Sequence, residues 1–150
     1  MQNLPHHYAV KATTTNDTHV DIGSSGLDSI ESAPPAEFGG PGDRWSPETL
    51  LVAAVADCFL LTFKAIARVS KLDWVSLSCE VDGILDRVEK VTQFTEFVLH
   101  ALIEVPEGTD EQKTRRLLEK SEQACLITNS LRAVTHLNVE VRISTTLGTG

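Results

Sequence analysis

The sequence predicts a single α+β domain over residues 1–150, and three observations carry that prediction. Strand-like segments come in runs of three and two rather than alternating one by one with helices, which argues against a doubly wound sheet. Two segments start with helix signals and are long enough to be the main helices. The last segment, Val134–Ile143 and its flanks, alternates apolar and polar residues with the period of a strand. The predicted order is βββαββαβ, with both long helices central and packed on an antiparallel sheet.

The first three strands are short. "HHYAVKATT" and "HVDIG", separated by Asn16-Asp17, read as a hairpin, and "LDSIES" as a third strand. "APPAEFGGPGDRWSPE" is rich in Pro and Gly and must be loop. The first helix then opens on Ser46 as N-cap, Pro47 at the first helical position and Glu48 in the first turn. From Leu50 to Val69 it is apolar on nearly every face, as expected of a helix covered on most sides, with a second subunit as a plausible cover. "VSLSCEVDGILDRV" and "FTEFVLHALIEV" form a hairpin about the polar joint "EKVTQ". Leu77, Cys79, Val81 and Leu85 share a face of the first; Phe97, Leu99, Ala101, Ile103 and Val105 share a face of the second. Thr109 and Gln112 make a capping box for the second helix. Leu117, Leu118, Ser121, Ala124 and Cys125 form its inner face. A short extra turn is expected near Asn129, and the last strand turns Leu137, Val139, Val141 and Ile143 inward and Asn138, Glu140, Arg142 and Ser144 outward.

The formal charge of −8, with no basic block, argues against nucleic acid, whose phosphates need clustered Lys and Arg. "MQNLPHHYAV" lacks the charged-then-apolar pattern of a secretory signal, and the apolar run Leu50–Phe63 is short for a membrane span and carries Asp57 and Thr62. A cytoplasmic protein with neither membrane nor nucleic-acid partner is expected. "GGPG" is no phosphate loop, because no Gly-Lys-Ser/Thr follows it.

The three cysteines carry the chemistry. Cys58, Cys79 and Cys125 stand 21 and 46 residues apart, contain no C-x-x-C and match no zinc motif. Cys79 alternates with Leu77 and Val81 and reads as core. Cys58, inside "ADCFLLTF", and Cys125 both sit on inward helix faces. Either they are packing, or they meet. A disulfide needs Cα atoms roughly 4.4–6.8 Å apart, and such a pair suits peroxide reduction: a thiolate attacks the O–O bond, becomes a sulfenic acid, and condenses with the second thiol. The first thiol needs a lowered pKa, usually from a cation that a carboxylate holds in place. Asp57 is poorly placed for this, since adjacent helical residues point about 100° apart.

"SPETLLVAAVADCFLLTF", followed much later by "SEQACLITNSL", resembles the OsmC/Ohr family of organic hydroperoxide reductases. In that family a Pro-Glu pair opens the first helix, a cysteine follows about ten residues later in an Ala-rich run ending Cys-Phe, and the second cysteine closes the second long helix. The resemblance extends to the element order over nearly the whole chain. It implies an intertwined homodimer with both helices at its centre, Cys58 as peroxidatic and Cys125 as resolving thiol, and Glu48 as the carboxylate that holds an activating arginine. It implies no metal or organic cofactor, a peroxide substrate, a role against oxidative stress, and an external dithiol, of lipoyl type or another small dithiol, as reductant. Glu48 and Cys58 are ten residues apart on one helix, about 15 Å along its axis. A shared site would therefore join Glu48 of one chain to Cys58 of the other.

Two positions depart from the family pattern. No arginine precedes Arg44, so Arg44 is either a relocated activator or a solvated loop charge. The second motif usually reads Cys-Pro-x-Ser, whereas here Cys125 is followed by Leu126, Ile127, Thr128 and Asn129. This is the pattern of a divergent OsmC-like branch. Phe38 and Trp45 flank the Gly-rich loop and either line an apolar substrate pocket beside Cys58 or pack a dimer. His6 and His7, on a strand, point to opposite faces and make no ligand pair; His19, His100 and His136 are scattered surface or satisfied histidines. The competing reading is a non-catalytic member of the fold, with a structural role or a small apolar ligand and both helix cysteines in the core.

Overall fold

A computed structural model describes residues 1–145, and the chain divides into two compact units, residues 1–51 and the remainder from Val52 on. The first unit holds β1 (Lys11–Thr13), β2 (Val20–Gly23) and β3 (Ile30–Ser32), an antiparallel sheet in that order. β1 starts later than expected: His6 and His7 lie outside any strand, with the His6 ring bonded to Gln2 O at 3.0 Å and Tyr8 Oη at 3.3 Å. Pro5 supplies no N–H for a ladder there. The Pro/Gly loop is irregular apart from a 3-10 turn at Ala36–Phe38. Its fold-back is tight at Gly40, where a Cβ would lie 1.7 Å from Pro34 O. The loop is pinned where Ala33 N–H donates to Trp45 O at 2.9 Å.

α1 spans Pro47–Val69. Its cap is the one expected: Ser46 Oγ accepts from Thr49 N–H at 3.1 Å. Its burial differs from expectation. Only Val55, Phe59, Phe63 and Ala67 are fully buried, one stripe at a spacing of four, while Leu61 is 58% exposed. A sheet covers one side of a helix, and the described residues of this chain supply no second cover. α1 is also long and apolar enough, by length and composition, to cross a bilayer, which the run Leu50–Phe63 alone understates.

In the second unit β4 (Ser76–Val88) and β5 (Val91–Val105) form an antiparallel hairpin. The joint is only Glu89-Lys90, both at positive φ (49° and 69°), the geometry of a two-residue hairpin turn; Val91, Thr92 and Gln93 belong to β5. Phe97, Leu99, Ala101, Ile103 and Val105 line the buried face as expected. Leu77, Cys79, Val81 and Gly83 are the half-buried positions of β4. Leu85 lies beyond a bulge between Ile84 and Leu85 and is 37% exposed. Gly83 lets β4 approach α1: a Cβ there would stand 2.7 Å from Val52 Cγ2 and 3.0 Å from Phe94 Cε1.

α2 (Glu111–Gln123) is capped one residue later than expected. Asp110 Oδ1 accepts from Lys113 N–H at 3.1 Å, because the Thr109 hydroxyl is spent on Pro106 O at 2.7 Å. Thr114, Leu118 and Ser121 are its buried residues, and Ala124 is exposed past its end. Lys113 Nζ donates to Ser70 O at 3.1 Å, just past the last turn of α1. The extra turn, α3 (Leu126–Asn129), begins directly after Cys125 and ends at Asn129. α2 and α3 carry the chain back along the sheet, so β6 (Val134–Ile143) runs parallel to β5, and the sheet β4–β5–β6 is mixed rather than wholly antiparallel. Its alternation holds through Val141 and breaks at the end, where Ile143 is 46% exposed and Ser144 is buried, its N–H donating to Val105 O at 2.7 Å.

Candidate active site

Cys58 lies on α1 beside the buried stripe, between Val55 and Phe59, and is half-buried. Cys125 is 1% exposed and occupies the N-cap position of α3, with extended backbone (φ −65°, ψ 109°). The fold brings these two free thiols together, the Cys125 side chain hydrogen-bonding to the Cys58 sulfur. Thr62, one turn further along α1, places Oγ1 3.9 Å from Cys58 Sγ. The backbone N–H groups of Leu126 and Ile127, the first two of α3, also act on this sulfur.

The electrostatics separate the two thiols. Burial pushes Cys58 up, but the Ile127 N–H, the Cys125 thiol, the Thr62 hydroxyl and the Leu126 N–H together hold it below the ordinary cysteine value. Burial pushes Cys125 up; the Thr128 N–H and hydroxyl lower it, and the neighbouring Cys58 raises it further, so it stays above the ordinary value. One thiol is poised as a thiolate and the other is kept as a proton donor. Asp57, next to Cys58, is exposed and takes no part. Cys79, between Leu77 and Val81 on β4, is raised to about 11 chiefly by burial.

The other residues singled out from the sequence are placed differently. Arg44 does not pair with Glu48: its Nε lies 3.5 Å from Glu31 Oε2 and its Nη1 3.6 Å from Asp43 Oδ1. Glu48 keeps one buried oxygen, Oε1, without a hydrogen-bond partner among the described residues. Phe38 and Trp45 do not share a cavity. Phe38 lines a concavity of about 320 Å³ with Val20, Ala33, Pro34, Pro35 and Glu48, whereas Trp45 lines an open one with Arg44 and Thr49. His19 Nε2 stands 3.0 Å from both Asp21 Oδ1 and Glu31 Oε1, a metal-like grouping across β2 and β3, although Arg44 already supplies positive charge to Glu31. The sequence reading missed Thr62, Leu126 and Ile127. The i, i+4 spacing of Cys58 and Thr62 was the one available signal; nothing in sequence marks two amides as neighbours of a thiol far away along the chain.

Comparison with known proteins agrees with this arrangement. Residues 40–140 match the sequence profile of the OsmC-like protein family. The chain is similar to an organic hydroperoxide resistance protein of Xanthomonas axonopodis pv. citri, 30% identical over 91% of this chain and 93% of the relative. It is similar also to protein YmaD of Bacillus subtilis, 24% identical over 92% and 95% of the two chains. Among solved structures, an OsmC-like protein of Vibrio cholerae superposes with a TM-score of 0.83 at 19% identity, covering 91% of this chain and 100% of that one. An organic hydroperoxide resistance protein OsmC from Legionella pneumophila superposes at 0.73 with 26% identity, covering 93% and 99%.

Proposed function

This chain belongs to the OsmC-like protein family, and from that premise we propose that it is a thiol-dependent peroxidase that reduces organic hydroperoxides or hydrogen peroxide and protects against oxidative stress. The Cys58 thiolate attacks one peroxide oxygen. The O–O bond breaks, the sulfur is oxidised to the sulfenic acid, and the second oxygen leaves as an alcohol or water once it takes a proton. The Cys125 thiol then attacks the sulfenic sulfur, forming the Cys58–Cys125 disulfide and releasing water. An external dithiol returns both sulfurs to thiols by exchange. No metal or organic cofactor enters this cycle.

The observation that carries the reading is the pairing of two thiols held in opposite protonation states at one site, Cys58 lowered and Cys125 raised. Treatment with cumene hydroperoxide followed by thiol titration tests it. Fast loss of two thiols per chain, with a Cys58–Cys125 disulfide by mass spectrometry, is expected; slow and unselective loss is the outcome that defeats it.

The working unit in this reading is a homodimer of the single domain, residues 1–150, in a reducing cytoplasm that keeps the thiols available between turnovers. The apolar residues that α1 leaves uncovered, Leu61 among them, support a second chain as their cover. Glu48 of one chain serves the Cys58 site of the other. Heterodimers of a Cys58→Ser chain with a Glu48→Ala chain keep one intact site and regain activity over either mutant homodimer; no regain would refute the shared site. The ion pairs of Arg44 favour a second reading, a non-catalytic fold that binds a small apolar ligand beside Phe38, because they leave Glu48 without an arginine. The same thiol titration separates the two.

A further inference from the structure

Each backbone N–H inside a protein needs an acceptor, and the first N–H groups of a helix have none within it. In the segment after Cys125, the amides of Asn129, Ser130 and Leu131 donate to Cys125 O, Ile127 O and Thr128 O. Those of Leu126 and Ile127 have no oxygen acceptor among the described residues, and both are directed to the Cys58 sulfur. The side chain of Leu126 is 65% exposed, so its main chain, not its packing, is what the site uses. No charged side chain acts on Cys58 among the described residues, and Arg44 is engaged by Glu31 and Asp43.

We propose that the main-chain N–H groups of Leu126 and Ile127 hold the Cys58 thiolate, with the Thr62 hydroxyl completing its shell, so that the segment bearing the second thiol also activates the first. The inference rests on the thiol-peroxidase reading only in calling Cys58 the attacking group. It assigns the activation to neutral donors in place of a guanidinium. Such donors stabilise a localised sulfur anion at short range, as oxyanion holes do for oxygen.

Leu126→Pro is the direct test, because it deletes one of the two N–H groups and little else. Proline is at home in the first position of a helix, and the extended backbone of Cys125 suits a residue that precedes proline. Leu126→Ala keeps the N–H and measures the cost of losing the side chain. The readout is the rate of iodoacetamide alkylation at the Cys58 peptide, followed against pH by mass spectrometry. Leu126→Pro is expected to react about tenfold more slowly than Leu126→Ala at neutral pH, the factor a hydrogen bond to a charged group supplies, with its pH midpoint moved upward. Thr62→Val should move the midpoint the same way by less. Equal rates for Leu126→Pro and Leu126→Ala overturn the proposal.

A second measurement needs no proline. In a Cys125→Ser chain the amide proton shifts of Leu126 and Ile127 should titrate with Cys58, and in a Cys58→Ser chain they should not. Amides that ignore the Cys58 titration also overturn the proposal. Neither readout uses a peroxide, so an absence of peroxide turnover in the native protein would refute the functional reading and leave this one standing.

Discussion

Cys58 and Cys79 are both half-buried thiols of the same compact unit, one on α1 and one on β4, yet they titrate in opposite directions. Burial is the largest influence on each and pushes each up. Cys79 meets one opposing group, the backbone of His100, and a carboxylate, Glu80, that raises it further, so it rests at about 11. Cys58 meets two amides, a hydroxyl and a thiol, all favouring its anion, and ends below its ordinary value. The lesson is that exposure does not tell a reactive cysteine from an inert one. The donors that surround the sulfur do.

The sharpest break of this contrast is to delete each sulfur in turn. Cys58→Ser should cut peroxide turnover by about a thousandfold or more, since a hydroxyl is a poor nucleophile at its free pKa, while Cys79→Ser should leave turnover near that of the parent in a coupled dithiol assay. Cys125→Ser comes next. It should retain the first, stoichiometric reaction with peroxide but stop at a sulfenic acid that a dimedone probe captures, with no intramolecular disulfide. The pH behaviour then orders the thiols without any mutation. A thiol lowered from its ordinary value is largely thiolate from a lower pH, and one raised to about 11 stays protonated through neutrality. Alkylation of Cys58 should therefore set in at distinctly lower pH than that of Cys79, and a reversed order would remove the basis of the comparison.

Smaller effects probe the frame that keeps the two thiols apart. Gly83→Ala should destabilise the protein by about 1–3 kcal/mol in urea unfolding, because its Cβ would press on Val52 Cγ2, 2.7 Å away, and force β4 off α1. Asp110→Ala should cost about 1 kcal/mol by the loss of the α2 cap, and Thr109→Val less than that if Asp110 alone caps the helix.

Much of the fold was legible because local chemistry and tertiary packing agree. Ser46 and Pro47 begin α1 where they should, and Phe97 to Val105 bury the alternate residues of β5. The misreadings fall where two local options compete. Thr109 could cap α2 and instead ties down Pro106, leaving the cap to Asp110. Ala124 looked inward by helical spacing, but α2 stops at Gln123. For the site, the identity of Cys58 and Cys125 was legible, while their meeting depended on the return of α2 along the sheet. Arg44 shows the opposite limit: the sequence supplies the charge, but only the fold shows that Glu31 and Asp43 hold it.

Nearly half of the chain lies between Cys58 and Cys125, including the whole β4–β5 hairpin and α2. A bond between those sulfurs staples α1 to the start of α3 and closes a loop long enough to strip the unfolded chain of about 4 kcal/mol of entropy. The oxidised protein should therefore melt several degrees above the reduced one, which makes heat resistance itself a gauge of how far the thiols have been spent.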